Sequence, residues 1–152
     1  MLALSRHPAR QQLSREFGAT DIVEERGEAA VEAVKHVTDG IGVDAALECV
    51  GTNEAMQTAL AIARAGSIVG YVGVPHGVEL PVPALFSRNI GAHGGPAPAR
   101  AYLPALMEDV LAGRINPGHV FDFETDLDGV ADAYAAMDER RAIKSLLRVS
   151  HV

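Results

Sequence analysis

Metal ligation and phosphate binding are the two chemistries whose residue types and spacings can be sought directly in this chain. It has six histidines, His7, His36, His76, His93, His119 and His151, and a single cysteine, Cys49. A zinc site needs a closed set of nitrogen, sulfur or carboxylate ligands, commonly paired at short spacing along an element. These histidines are scattered singly and read as surface or loop residues, so the sequence offers no metal site and no catalytic residue. One thiol also excludes an internal disulfide framework. A phosphate cradle needs a glycine-rich loop of GxGxxG spacing that opens a helix. The nearest run, Gly91-Ala92-His93-Gly94-Gly95, has the wrong spacing and no apolar helix behind it.

The elements that must position any site follow from the apolar periodicity. Met1-Leu2-Ala3-Leu4 reads as the tail of a strand. A chain that opens inside a strand is expected to be part of a longer domain, shortened at its N-terminus. A turn at Ser5–Pro8 leads to a helix over residues 9–17, stopped by Gly18, then a short strand over 21–23 and a helix over 28–37. Residues 43–50 form a continuous apolar run, which predicts a strand covered on both faces. Thr52 or Asn53 caps a helix whose inner stripe is Met56, Ala59, Leu60 and Ala63, and residues 67–74 are the clearest strand. Residues 75–83, including Pro81-Val82-Pro83, and 94–98 read as loops, with a candidate strand from Asn89 to Ala92 between them. Leu103, Leu106, Met107 and Val110 predict the inward face of a helix over 99–111. Val130, Tyr134 and Met137 do the same for a helix ending at 137, and residues 143–149 close as a strand. Strands alternating with helices imply right-handed crossovers and an α/β fold with an open parallel sheet.

Of the 152 residues, 48% are hydrophobic and 22% charged, which suits a globular chain with a real core. A net charge of −7 repels phosphate backbones, so nucleic acid is excluded as an expected partner. No apolar run is long enough to span a bilayer, and the lone cysteine favours a reducing, cytoplasmic setting.

Five pieces, in order along the chain, carry a family resemblance. They are Glu16-Phe17-Gly18-Ala19-Thr20, the run Thr38-Asp39-Gly40-Ile41-Gly42-Val43-Asp44, Glu48-Cys49-Val50-Gly51, Val72-Gly73-Val74-Pro75 and Ala142-Ile143-Lys144. On these the chain resembles the C-terminal, cofactor-domain portion of the medium-chain, zinc-dependent alcohol dehydrogenases. The resemblance implies a partial Rossmann-type doubly wound parallel sheet over residues 1–141, lacking its first strand and glycine-rich loop. Residues 142–152 would then return to a catalytic domain outside this chain. In that register Ser5 ends the second strand and Arg6 follows, with no acid beside them. A hydroxyl and a guanidinium suit the 2′-phosphate of NADP(H) better than the bare ribose of NAD(H). The other reading of Arg6 is a solvated surface arginine.

The same resemblance implies that Cys49, Val50 and Gly51, and Val72, Gly73 and Val74, line the adenine and nicotinamide sides of the cleft. Each triplet also reads simply as a strand end with a turn glycine. Ala92 and His93 would meet the nicotinamide amide through their backbone, and Lys144 would reach the pyrophosphate. Zinc would come only through residues outside the chain. The expected function is the cofactor-binding portion of an NADP(H)-linked alcohol dehydrogenase or carbonyl reductase, inactive alone. A homo-oligomer through the edge strand Asn89 to Ala92 is the expected assembly. A zinc-free reductase of the same superfamily, a non-catalytic nucleotide-binding or oligomerisation module, and a product without function are the competing readings. Without a first strand, two unpaired edges are expected to face a gap in the sheet.

Overall fold

A computed structural model describes residues 1–150; His151 and the end of the 142–152 segment lie outside the described residues. The chain begins with β1 (Leu2–Leu4), α1 (Pro8–Glu16), β2 (Asp21–Val23) and α2 (Gly27–Val37). It continues through β3 (Val43–Glu48), α3 (Asn53–Ile62), β4 (Ala63–Tyr71), α4 (Val82–Arg88) and β5 (Gly91–Gly94). Then come α5 (Ala99–Leu111), a 3-10 turn (Pro117–Val120), β6 (Phe123–Asp126), α6 (Val130–Asp138) and β7 (Ser145–Arg148). Local chemistry sets several of these starts. Pro8 occupies the first turn of α1, where a missing N–H costs nothing. Thr52 caps α3, its Oγ1 accepting the Ala55 N–H at 3.2 Å.

All strand pairings between named strands are parallel, as the alternation of strands and helices predicts. They fall into three hydrogen-bonded sets: β1–β2, the central β3–β4–β5, and β6–β7. No ladder joins β1 to β3, so each keeps one unpaired edge, and the sheet is interrupted where the sequence placed a gap. Side chains join the two pieces instead. Val23 of β2, Ala30 and Val34 of α2, Ala46 of β3, Met56, Ala59 and Leu60 of α3 and Val69 of β4 share one core, with Leu2 packed against it.

Several expectations need correction. Strand β3 is covered on one face only: Ala46 and Glu48 are buried, while Leu47 on the opposite face is 81% exposed, beside Ile68 at 58%. Helices α2 and α3 both pack on the first face, and nothing among the described residues covers the second. Helix α5 has the expected bounds, but Leu103, Leu106, Met107 and Val110 are all exposed. In α6 the buried positions are Ala133 and Ala136, and Tyr134 points to solvent. Residues 82 and 83, expected as loop, instead open α4. Pro83 fits its first turn, and Arg88 donates to the carbonyls of Leu60, Ala61 and Ala63 at the end of α3. The strand expected from Asn89 to Ala92 runs from Gly91 to Gly94, because Asn89 closes α4 in the left-handed conformation, with φ of 53°. Strand β6 was not expected, and it supplies a partner for β7 within the chain.

Unpaired parallel edges beside exposed leucine and isoleucine favour association. Sedimentation velocity of the purified chain is expected to show mean mass rising with concentration. A monomer at all concentrations with one cooperative melting transition would contradict this.

Candidate functional site

Parallel strands end on the same side, and in β3–β4–β5 they end in register: Glu48, Tyr71 and Gly94 form the last rung. Cys49–Gly51 and Val72–Val74 therefore leave the sheet from one edge, with Ala92 and His93 just inside it, paired to Val69 and Gly70. The carboxyl edge of an open parallel sheet is where such folds place ligands. Here the structure brings eight of the eleven site residues expected from sequence onto one sheet edge.

The two loops touch each other. Val72 and Gly73 donate their N–H groups to the Glu48 carbonyl at 2.9 and 3.3 Å, and His76 donates to the Gly51 carbonyl at 3.0 Å. A Cβ on Gly51, whose φ is +89°, would stand 2.2 Å from the Val74 carbonyl oxygen. A Cβ on Gly73 would stand 2.3 Å from the Gly51 nitrogen. Both glycines are thus demanded by the approach of one loop to the other. Between them Cys49, Val50, Val72 and Val74 stay exposed, an apolar lining suited to flat rings. The Cys49 thiol is pushed above its ordinary pKa, first by partial burial and then by the neighbouring Glu48 carboxyl.

Ser5 and Arg6 stand at the end of β1. The Ser5 N–H donates to the Val23 carbonyl at 3.0 Å, its carbonyl accepts from Gln11 Nε2 at 2.8 Å, and its Oγ accepts the His7 N–H at 3.3 Å. The turn is therefore pinned while Arg6 remains exposed. Beside it the His7 imidazole is pulled below its ordinary pKa, first by desolvation and then by the charges of Arg140, Arg10, Arg6 and Arg26. Four arginines thus act on one imidazole in a chain of net charge −7. Sequence reasoning found Arg6 alone. Arg10, one helical turn along, was legible from spacing; Arg26 and Arg140 come from distant elements and required the fold. Lys144 is exposed just before β7, its backbone tied to Asp122, and belongs to the β6–β7 pair rather than to the central edge. Among the described residues no group of three or more His, Cys, Asp or Glu side chains could hold a metal ion.

Residues 1–110 match the family model described as zinc-binding dehydrogenase. The chain belongs to that family. It is 33% identical over 128 residues to a sorbitol dehydrogenase of Bacillus subtilis, covering 83% of this chain and 36% of that protein. It is 26% identical over 155 residues to an S-(hydroxymethyl)glutathione dehydrogenase of Escherichia coli, covering 97% of this chain and 42% of the relative. Among solved structures, the alcohol dehydrogenase TADH of Thermus sp. ATN1 superposes with a TM-score of 0.89 at 28% identity, covering 98% of this chain and 44% of that one. The chain spans less than half the length of these relatives, and the match lies in their C-terminal part. The fold is that of the Rossmann-like cofactor domain, and the family uses a nicotinamide cofactor, with zinc held in the catalytic domain. No helix among the described residues is long and apolar enough to cross a membrane.

A raised thiol pKa leaves less thiolate at a given pH, so Cys49 is expected to react with iodoacetamide at pH 8 more slowly than free cysteine, despite its exposure. Alkylation as fast as the free amino acid would contradict the assigned environment.

Proposed function

We propose that this chain is the nucleotide-binding portion of an NADP(H)-linked alcohol dehydrogenase or carbonyl reductase, inactive alone because its zinc ligands and substrate pocket lie on residues outside it. The feature that supports the cofactor preference is the exposed Arg6 following Ser5 at the end of β1, with Arg10, Arg26 and Arg140 near enough to act on the adjacent His7 imidazole. Forked, charge-assisted bonds from arginine suit the 2′-phosphate, and a carboxylate there would repel it. The exposed apolar residues at the β3 and β4 ends would pack on the adenine and nicotinamide rings, with Ala92 and His93 offering backbone groups and Lys144 reaching the pyrophosphate. When bound, the nicotinamide ring accepts or donates hydride; the residues of this chain bind and orient it. Residues 1–141 form the cofactor part, and 142–152 lead towards another domain. The setting is the cytoplasm, and strand β5, paired on one side only, is the edge through which two copies would join their sheets.

Titration with NADPH and NADH tests this reading. NADPH is expected to bind about tenfold tighter, and Arg6→Ala to remove most of that difference while leaving NADH affinity unchanged. Equal affinities, or NADH preferred, would contradict it.

A further inference from the structure

Glu48 ends β3 and is only 3% exposed, although its residue type is almost never buried unpaired. Its Oε1 accepts the N–H groups of both Val50 and Gly51, each at 2.7 Å. Its main-chain carbonyl accepts from Val72 and Gly73 on the other loop. Its Oε2 is buried without a hydrogen-bond partner and lies against Gly73, where a Cβ would come within 2.6 Å. One residue therefore ties both loops, one through its side chain and the other through its backbone, and its remaining oxygen fills the space between them.

The two backbones touch at Gly51 and Gly73, but apolar side chains do little to hold these loops. Val50, Val72 and Val74 are 70%, 61% and 68% exposed, so little apolar burial fixes their positions. A buried carboxyl with one unpaired oxygen costs stability, and an apolar residue of similar volume would often serve the fold as well or better. The cost falls where two strand-end loops present their backbone to solvent.

We propose that Glu48 is the positioning residue of the strand-end site: it holds the Cys49–Gly51 and Val72–Val74 loops as one rigid surface, preorganised for a flat ring system. The identity of that ring system rests on the nucleotide reading above; the clamp itself does not. Preorganisation of this kind raises affinity by removing the cost of ordering loops on binding.

Amide hydrogen exchange read by NMR on the full chain, paired with NADPH titration, tests the clamp. In the unmodified protein the Val50 and Gly51 amides are expected to be protected although Val50 is exposed; exchange at the free-peptide rate would overturn the proposal without any variant. Glu48→Met, which keeps the length but offers no acceptor, is expected to speed exchange at both amides and weaken NADPH about tenfold. Val69 in the core should stay protected. Glu48→Gln, which retains an acceptor oxygen, is expected to stay within about threefold of the unmodified chain on both readouts. Acceleration spread equally to Val69, or no change at Val50 and Gly51, overturns the clamp. NADPH binding that survives Glu48→Met unchanged would overturn the positioning role and leave the nucleotide reading standing. A local exchange effect in a chain that binds no nucleotide would uphold the clamp and remove the nucleotide reading.

Discussion

Helix α2 holds together two strand sets that share no hydrogen bond. Between β1 and β3 the backbone ladder is missing, so the relation of Ser5 and Arg6 to the loops after β3 and β4 is carried by side-chain packing. Ala30 and Val34 are wholly buried in the core that also contains Val23 from one strand set and Ala46 from the other. Full burial of a valine contributes roughly 1.5–3 kcal/mol. A continuous ladder would have added directional hydrogen bonds that fix spacing and register. Packing alone fixes them less tightly, and any site that joins Arg6 to the strand ends depends on it.

The same arrangement explains the surface. With α2 and α3 both on one face, Leu47 and Ile68 on the other meet solvent, and α5 turns none of its apolar residues into a core. These are features of a layer that ordinarily lies inside a larger body, in keeping with a chain that matches less than half of each relative reported above. At the carboxyl edge, by contrast, order is local: the glycine pair Gly51 and Gly73 lets two backbones touch, and Glu48 bonds to both loops. That edge can be well formed even where the sheet beside it is incomplete.

Much of this was legible in the sequence, for physical reasons that differ by element. Helix α3 was readable because Met56, Ala59 and Leu60 do face the core and Thr52 does cap it, although Ala63, expected on the same stripe, is buried as the first residue of β4. The gap in the sheet was expected from the family resemblance, whose strand order places a strand between β1 and β3. Helix α4 was missed because Pro81-Val82-Pro83 looks like a loop, whereas proline in a first turn is compatible with a helix, and the anchor that holds it, Arg88, acts on carbonyls some 25 residues earlier in the chain. The faces of α5 and β3 were misread because periodicity reports which side is apolar, not whether anything is present to cover it. Within the site, Arg26 and Arg140 carried no local signal. Glu48 stood in a recognisable motif, yet its burial and its bonds to the backbone amides of Val50 and Gly51 could be seen only in the folded loop.

In the proposed function, one nucleotide lies across Ser5–Arg6 and the carboxyl edge of β3–β5. Backbone amide shifts of the isotope-labelled chain, followed by NMR during NADPH addition, test it most directly. Changes concentrated at Ser5–Arg6, Cys49–Gly51, Val72–Val74 and Ala92–His93 are the expected result. Saturable changes centred elsewhere, such as the groove between α2 and α3 lined by Val31, Gln57 and Ala61, would contradict it, as would a folded chain whose spectrum NADPH leaves unchanged.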